Sequence, residues 1–439
     1  MTPRVRMLHD LGVDRVLAIA SEYGVGEVPH SDEAEVLLLE TTAADLLASL
    51  KRDEELVENP PTRVREAIAS FDPDARAIVF PHPVLDINTT SMCGRPIVGH
   101  RPPAWAALED KLVADALWDA AGVTRAPSII VDAARNAVLA ASREVDRGVG
   151  TVWAADASQR PTGGAEGTRW VRGDVDAEEA FSSLLPFTKR FRVMPFLEGM
   201  PFSVMGMVFA DAVAALRPVE NIVLRSADPP AFRYAGVATW WDPSPDDRED
   251  ARQSVRRVGA ALRERYGFRG AFTVDGVLSV DGFRPTGLNP RLGASMIPFQ
   301  LEAPETCLEV VSRALIAEPD RAVDGYAFED EAVAALDTHR GGGAWMPADT
   351  GHGPTTEHLL VRDATRFRRA TKDESPDAVV VTGPGTGGGR IEFWPRPSIV
   401  APGTSVAPLA VEAFAWADAE LNTNIGPLSP AHEVRGPAG

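Results

Sequence analysis

Apolar positions in this chain switch repeatedly between the alternate-residue spacing of strands and the wider spacing of helices. Strand-like runs fall over 15–20, 35–40 and 77–80, separated by helical stretches over 43–57 and 62–71. That alternation predicts an N-terminal α/β unit with a parallel sheet. Gly24 and Gly26 follow the first strand and read as a strand-ending turn. A full Gly-x-Gly-x-x-Gly run is absent there, which counts against a dinucleotide-binding oxidoreductase.

Pro102-Pro103 and Pro127 bracket a predicted helix over 105–121, with Leu108, Leu112, Val113, Ala116 and Leu117 on its apolar face and Gly122 capping its end. A strand over 128–132, a helix over 133–147 and a strand over 151–154 follow. Asp176 and Glu179 predict a capping box for a helix that stops before Pro186. Strands over 192–197 and 202–210 flank Glu198-Gly199, and a charged helix over 246–265 ends at Gly267. Two strands across 270–291 meet at an Asp281-Gly282 turn, and a helix spans 304–317. From about residue 327 glycine-rich stretches and prolines predict a smaller accessory or lid-like domain with irregular connections.

The length of 439 residues implies two to three domains. A net charge of -19 argues against nucleic acid and anionic membrane as partners, since both would repel such a surface. No apolar run approaches a membrane span, and the first residues have no signal-peptide core. Cys93 and Cys307 lie far apart, so a reducing, cytoplasmic setting is expected and a disulfide framework is not. The eight histidines are dispersed, and no Gly-x-Ser-x-Gly elbow occurs. Lysine appears only at Lys51, Lys111, Lys189 and Lys372.

The segment 270–295 carries the most chemistry. Asp275 interrupts an apolar strand, and Asn289 and Arg291 share one side of the next. A carboxylate, an amide and a guanidinium on neighbouring strands can hold a divalent cation and the phosphate oxygens it bridges. Lys111 lies in Leu108-Glu109-Asp110-Lys111, on the helix that precedes the 128–132 strand. Arg160, Gly163, Gly164 and Gly167 lie in a glycine-rich loop whose amides can close over phosphates. Arg192 to Gly199 offers apolar side chains and a carboxylate, Glu198, able to accept from paired hydroxyls. Glu220 is a candidate to face the phosphates or an acceptor, and Arg225 and Arg233 are candidate carboxylate anchors.

Asp275 followed by Gly287-Leu288-Asn289-Pro290-Arg291 resembles the metal- and phosphate-binding end of the ATP-grasp superfamily, in a degenerate form. The resemblance implies a mixed α/β and α+β fold: a preliminary α/β domain over 1–103, a small nucleotide-binding subdomain over 104–195, a large one over 196–325 and an accessory domain over 326–439. It implies ATP and Mg2+ as cofactors, with Asp275 and Asn289 on the metal and Lys111 and Arg291 on phosphates. Arg160, Gly163, Gly164 and Gly167 would cover the triphosphate, and Val193, Met194, Phe196, Leu197 and Glu198 would hold the adenosine. The implied activity is ligation of a small-molecule carboxylate to an amine through an acyl phosphate; a homodimer is left open. Two departures stand out. Gly287 occupies the place of the usual Glu, and Ala155 lies near that of a second phosphate lysine. They leave a rival open, a natural or engineered relative that binds nucleotide without turnover.

Overall fold

The strands expected around the Asp281-Gly282 turn form as Gly270–Ser279 and Gly282–Asn289. The structure, a computed structural model, describes residues 1–439 except 23, 25–27, 42, 157–166, 228–229, 350–353, 387, 436–439 and the side chain of residue 46. Among the described residues the hairpin is one edge of an 11-stranded sheet. The sheet continues through Met200–Val208, Val213–Ala227 and Pro230–Ala238, all antiparallel.

Strand alternation gives this sheet two apolar faces. Val204 and Val208 point to one, where Val255, Val258 and Leu262 of helix Pro245–Tyr266 cover them together with Phe272. Met205 and Met207 point to the other, against Phe299, Leu308, Leu315 and Leu336. Each fully buried aliphatic side chain contributes ~1.5–3 kcal/mol. The long helix ends where Gly267 takes φ 60°, the left-handed turn its position predicts.

A second sheet runs Ile129–Asp132, Arg190–Pro195, Thr151–Ala155, Thr168–Val171. Phe191 and Val193, with Trp153 and Ala155 on the neighbouring strand, pack under helices Arg135–Val145 and Asp174–Leu184. The intervening residues Arg192, Met194, Val152 and Ala154 therefore face the other way, into a cleft.

Three sequence expectations change. The helix over 105–121 is broken into Pro103–Ala106, a 3-10 turn at Ala107–Glu109 and helix Lys111–Ala120, because the Asp110 side chain accepts from Leu112 N and starts a new helix. Asp176 does not form a capping box: the helix begins at Asp174 after Gly173, and Asp176 reaches back to Arg172 N. In the N-terminal unit Leu17–Ala20 and Glu35–Leu38 pair in parallel, but among the described residues no third strand joins. Val79 makes only an isolated bridge to Ile97, and Asp72 accepts from Ala77 N.

The C-terminal strands extend the large sheet, since Gly342–Pro347 pairs with Pro230–Ala238 and then with Arg390–Pro395. Helix Ala407–Leu421 covers this extension through Ala410, Phe414 and Ala417. No helix of the described residues is long and apolar enough to cross a membrane.

Candidate functional site

Asp275 stands opposite Gly287 on one neighbouring strand and opposite Ser203 on the other. Its Oδ2 accepts from Asn289 Nδ2 at 2.8 Å and its Oδ1 from Ser203 Oγ at 2.5 Å. Asn221 Nδ2 fixes Ser203 in turn, donating to its Oγ at 2.7 Å. Burial raises the Asp275 carboxyl above its ordinary value, against the opposing pull of Ser203, Asn289 and Arg291. Ser203 and Asn289 are neutral donors, so the ionised form gains from a cation at this point.

Gly287 belongs to the same floor. A Cβ built there would lie 3.9 Å from Asp275 Oδ2, ordinary contact distance, so any side chain at 287 would stand beside that carboxylate. Asp275 and Asn289 supply one carboxylate and one amide. Among the described residues no group of three or more His, Cys, Asp or Glu converges on a metal position. This donor set fits a single Mg2+ that keeps waters or phosphate oxygens in its remaining positions.

Lys111 begins the helix that Leu117 and Trp118 anchor in the large core. Its Nζ donates to Thr168 Oγ1 at 2.7 Å, and no described carboxylate forms an ion pair with it. Burial, with the Arg192 charge adding to it, pushes its pKa down to about 8, while Asp275 and Asp110 pull upward. Arg192 is 1% exposed and holds Asp115 through Nε at 2.9 Å and a second nitrogen at 2.7 Å. Among the described residues its third nitrogen meets only the Met194 sulfur, at 3.1 Å. Arg291 bonds Glu109 Oε1 at 2.8 Å and reaches Asn289 Oδ1 at 3.3 Å.

Lys111, Arg192, Arg291, Asp275 and Asn289 all line one cleft of about 1200 Å3 between the two sheets and the N-terminal unit. No protein-family model and no curated protein sequence matches the chain. Solved structures do. The chain resembles the carboxyaminoimidazole ribonucleotide synthase of Aspergillus clavatus complexed with ATP, at 12% identity and TM-score 0.50, over 95% of this chain and 96% of that one. The biotin carboxylase domain of Hydrogenobacter thermophilus 2-oxoglutarate carboxylase, in complex with MgADP, ADP and bicarbonate, aligns at 14% identity and TM-score 0.52, over 98% and 88%. Campylobacter jejuni biotin carboxylase aligns at 12% identity and TM-score 0.52, over 98% and 89%. The chain has the ATP-grasp fold.

Within this ATP-grasp fold the remaining candidates divide. Met194, Phe196 and Leu197 line the cleft, with Phe196 stacked on Trp170 at 4.4 Å. Val193 does not face it; that side chain lies in the small-sheet core because alternate residues of the strand point apart. Arg225 lines the cleft but is occupied by Glu198, whose two oxygens it holds at 2.7 and 3.0 Å. A ribose read by Glu198 would compete with that pair. Glu220 does not line the cleft: fully buried, it accepts from Ser405 Oγ at 2.5 Å and Val406 N at 3.0 Å at the start of helix Ala407–Leu421. Arg233 is exposed and does not line the cleft. Gly167 is buried, its carbonyl accepting from Ala155 N at 2.9 Å. Arg160, Gly163 and Gly164 lie outside the described residues.

Sequence reasoning missed Ser203, Asn221, Glu109, Tyr234 and the side-chain role of Arg192. Arg192 was legible: it alternates with Phe191 and Val193 and so shares the face of Met194. Ser203 and Asn221 had no local signal, since strand pairing alone brings them to Asp275.

Proposed function

We propose that this protein is an ATP- and Mg2+-dependent ligase joining a carboxylate to an amine, with release of ADP and phosphate. One observation supports this most. Among the described residues two cations, half-buried Lys111 without a carboxylate partner and buried Arg192 with a nitrogen free of oxygen partners, share a cleft with the cation-seeking pair Asp275 and Asn289. A polyanion escorted by a divalent cation satisfies both ends of that arrangement.

In this reading Lys111, Arg192 and Arg291 hold the phosphate oxygens, and Met194, Phe196 and Leu197 enclose the base. Asp275 and Asn289 would hold Mg2+, which when bound neutralises charge on the phosphates. A substrate carboxylate oxygen attacks the terminal phosphorus, the bond to the bridging oxygen breaks and ADP leaves. The neutral amine then attacks the acyl carbon, phosphate departs, and the amine proton passes to solvent. No side-chain nucleophile is required; position and charge carry the reaction. The test is a coupled ADP-release assay over a panel of acids and amines with MgATP. ADP release that needs both an acid and an amine supports the reading; MgATP binding with no ADP release under any pair overturns it.

A second reading, nucleotide binding without turnover, rests on Gly287, which leaves Asp275 as the one carboxylate on the metal floor.

A further inference from the structure

Among the described residues, three buried side-chain donors that line the cleft have no hydrogen-bond partner: Arg101 Nε, Tyr234 Oη and Gln300 Nε2. Burial, with the Asp275 charge adding to it, disfavours ionisation of Tyr234, which places that phenol on the Asp275 side of the cleft. Arg101 and Gln300 lie elsewhere. Arg101 is 7% exposed, and its guanidinium donates to Glu109 Oε1 at 2.5 Å. The same oxygen accepts from Arg291 at 2.8 Å. Two guanidiniums that line the cleft thus share one carboxylate.

The arrangement forms a continuous polar chain. Asp275 bonds Asn289, Asn289 bonds Arg291, and Arg291 is tied through Glu109 to Arg101. An anion on Arg101 therefore sits beside the residues assigned to the reacting phosphate. A buried guanidinium Nε and a buried amide left without acceptors cost free energy unless a ligand supplies oxygens. The adjoining wall, from the N-terminal unit, carries the opposite charge. Glu54 and Asp86 line it, Glu54 accepting from Asp86 N at 2.9 Å. Burial first, then the Asp86 and Glu58 charges, raise the Glu54 carboxyl, while Asp86 N and Arg101 lower it. Arg101 thus acts on Glu54 across the wall, yet the two form no ion pair, since Arg101 is turned to Glu109.

We propose that the acid activated here is an amino acid, its carboxylate held by Arg101 and Gln300 beside Arg291 and its ammonium group directed at Glu54 and Asp86. The proposal rests on the ligase reading for the chemistry but not for the binding. The carboxylate oxygen forms the new bond to phosphorus, the ammonium stays intact, and ADP is the leaving group. Lys51 lines the same wall and would disfavour an ammonium placed nearer to it.

The test is saturation-transfer NMR on the full chain with the common L- and D-amino acids, each beside its deaminated acid, and a parallel titration of MgATP. Saturable binding of at least one amino acid, at least ~10-fold tighter than its deaminated partner, is expected. Arg101→Lys and Gln300→Leu should each weaken that binding by ~10-fold or more with MgATP affinity unchanged, and Glu54→Gln should shrink the preference for the amino acid. Equal binding of the deaminated acids, no binding of any amino acid, or unchanged affinity in both the Arg101 and Gln300 variants overturns the inference. A failure of MgATP to bind would instead sink the ligase reading, leaving amino-acid binding to be judged by itself.

Discussion

Ala154 lies directly opposite Arg192 in the register of the small sheet. Both residues face the cleft, and Ala155, beside the place where the resembled family carries a second phosphate lysine, points into the core instead. Arg192 thus brings a cation to the same patch from the adjacent strand. The Asp115 carboxylate orients it bidentately, which a lysine could not match.

Arg192→Lys is therefore expected to weaken MgATP binding by roughly 10-fold, because the charge survives without the fork. Arg192→Met should cost more in two ways. Nucleotide affinity falls by ~10–100-fold, and stability drops because buried Asp115 loses its bidentate partner and keeps only Ser128 at 2.5 Å and Arg125 at 3.8 Å, a loss of ~1–3 kcal/mol. Calorimetric titration and thermal melting of the same samples separate the two effects. Unchanged affinity in both variants would remove Arg192 from the phosphate site.

Lys111 gives the site a pH signature. Its folded pKa of about 8 lies below the ordinary lysine value, so the unfolded chain binds this proton more tightly. The stability contribution of this group accordingly rises as pH climbs from about 8 toward the ordinary value, the ammonium being the costly form in the fold. Phosphate binding runs the other way, because the anion needs the ammonium. MgATP affinity should decline as pH passes about 8, with proton uptake on binding visible in buffers of different ionisation enthalpy. Lys111→Met should lower affinity and abolish that uptake.

Much of this site was legible before any coordinates. Period-2 spacing put Asn289 and Arg291 on one side of their strand, and hairpin pairing delivers the contact of Asn289 with Asp275. The Gly267 helix end and the long charged helix followed from local chemistry, where the controlling interactions span a few residues. Non-local features were hidden. Glu220 looks like any polar strand residue until helix Ala407–Leu421, far along the chain, brings its first amides to that carboxylate. Val193 was assigned by its neighbours rather than by its own alternation. The accessory tail read as irregular because its glycines and prolines obscure strands that only the large sheet organises.

Glu220 supplies a control. Burial pushes its pKa up to about 7, while Ser405 and the Val406 and Ala407 amides pull it down. A raised folded value means the native state binds this proton more tightly, so its stabilising share is full at low pH and is lost as pH rises through about 7. Glu220→Gln keeps an acceptor for the helix start and removes the titration. The variant should show a flatter melting-temperature profile between about pH 5 and 7 and unaltered MgATP affinity. A large loss of nucleotide binding with the fold intact would return Glu220 to the phosphates.

Gly287→Glu probes the metal floor from the other side. The built Cβ meets only Asp275, at 3.9 and 4.0 Å, so steric cost is small. Electrostatic cost is not: a second carboxylate beside the buried Asp275 repels it and raises one of the two pKa values. Without Mg2+ the variant should melt lower than the parent, and added MgATP should recover the difference and more, because two carboxylates bind the ion where one did before. Mg2+ affinity in the presence of nucleotide should rise by ~10-fold or more, and any ADP release should rise with it. If the melting temperature falls and Mg2+ does not restore it, position 287 faces no metal, and the assignment of Asp275 and Asn289 falls too.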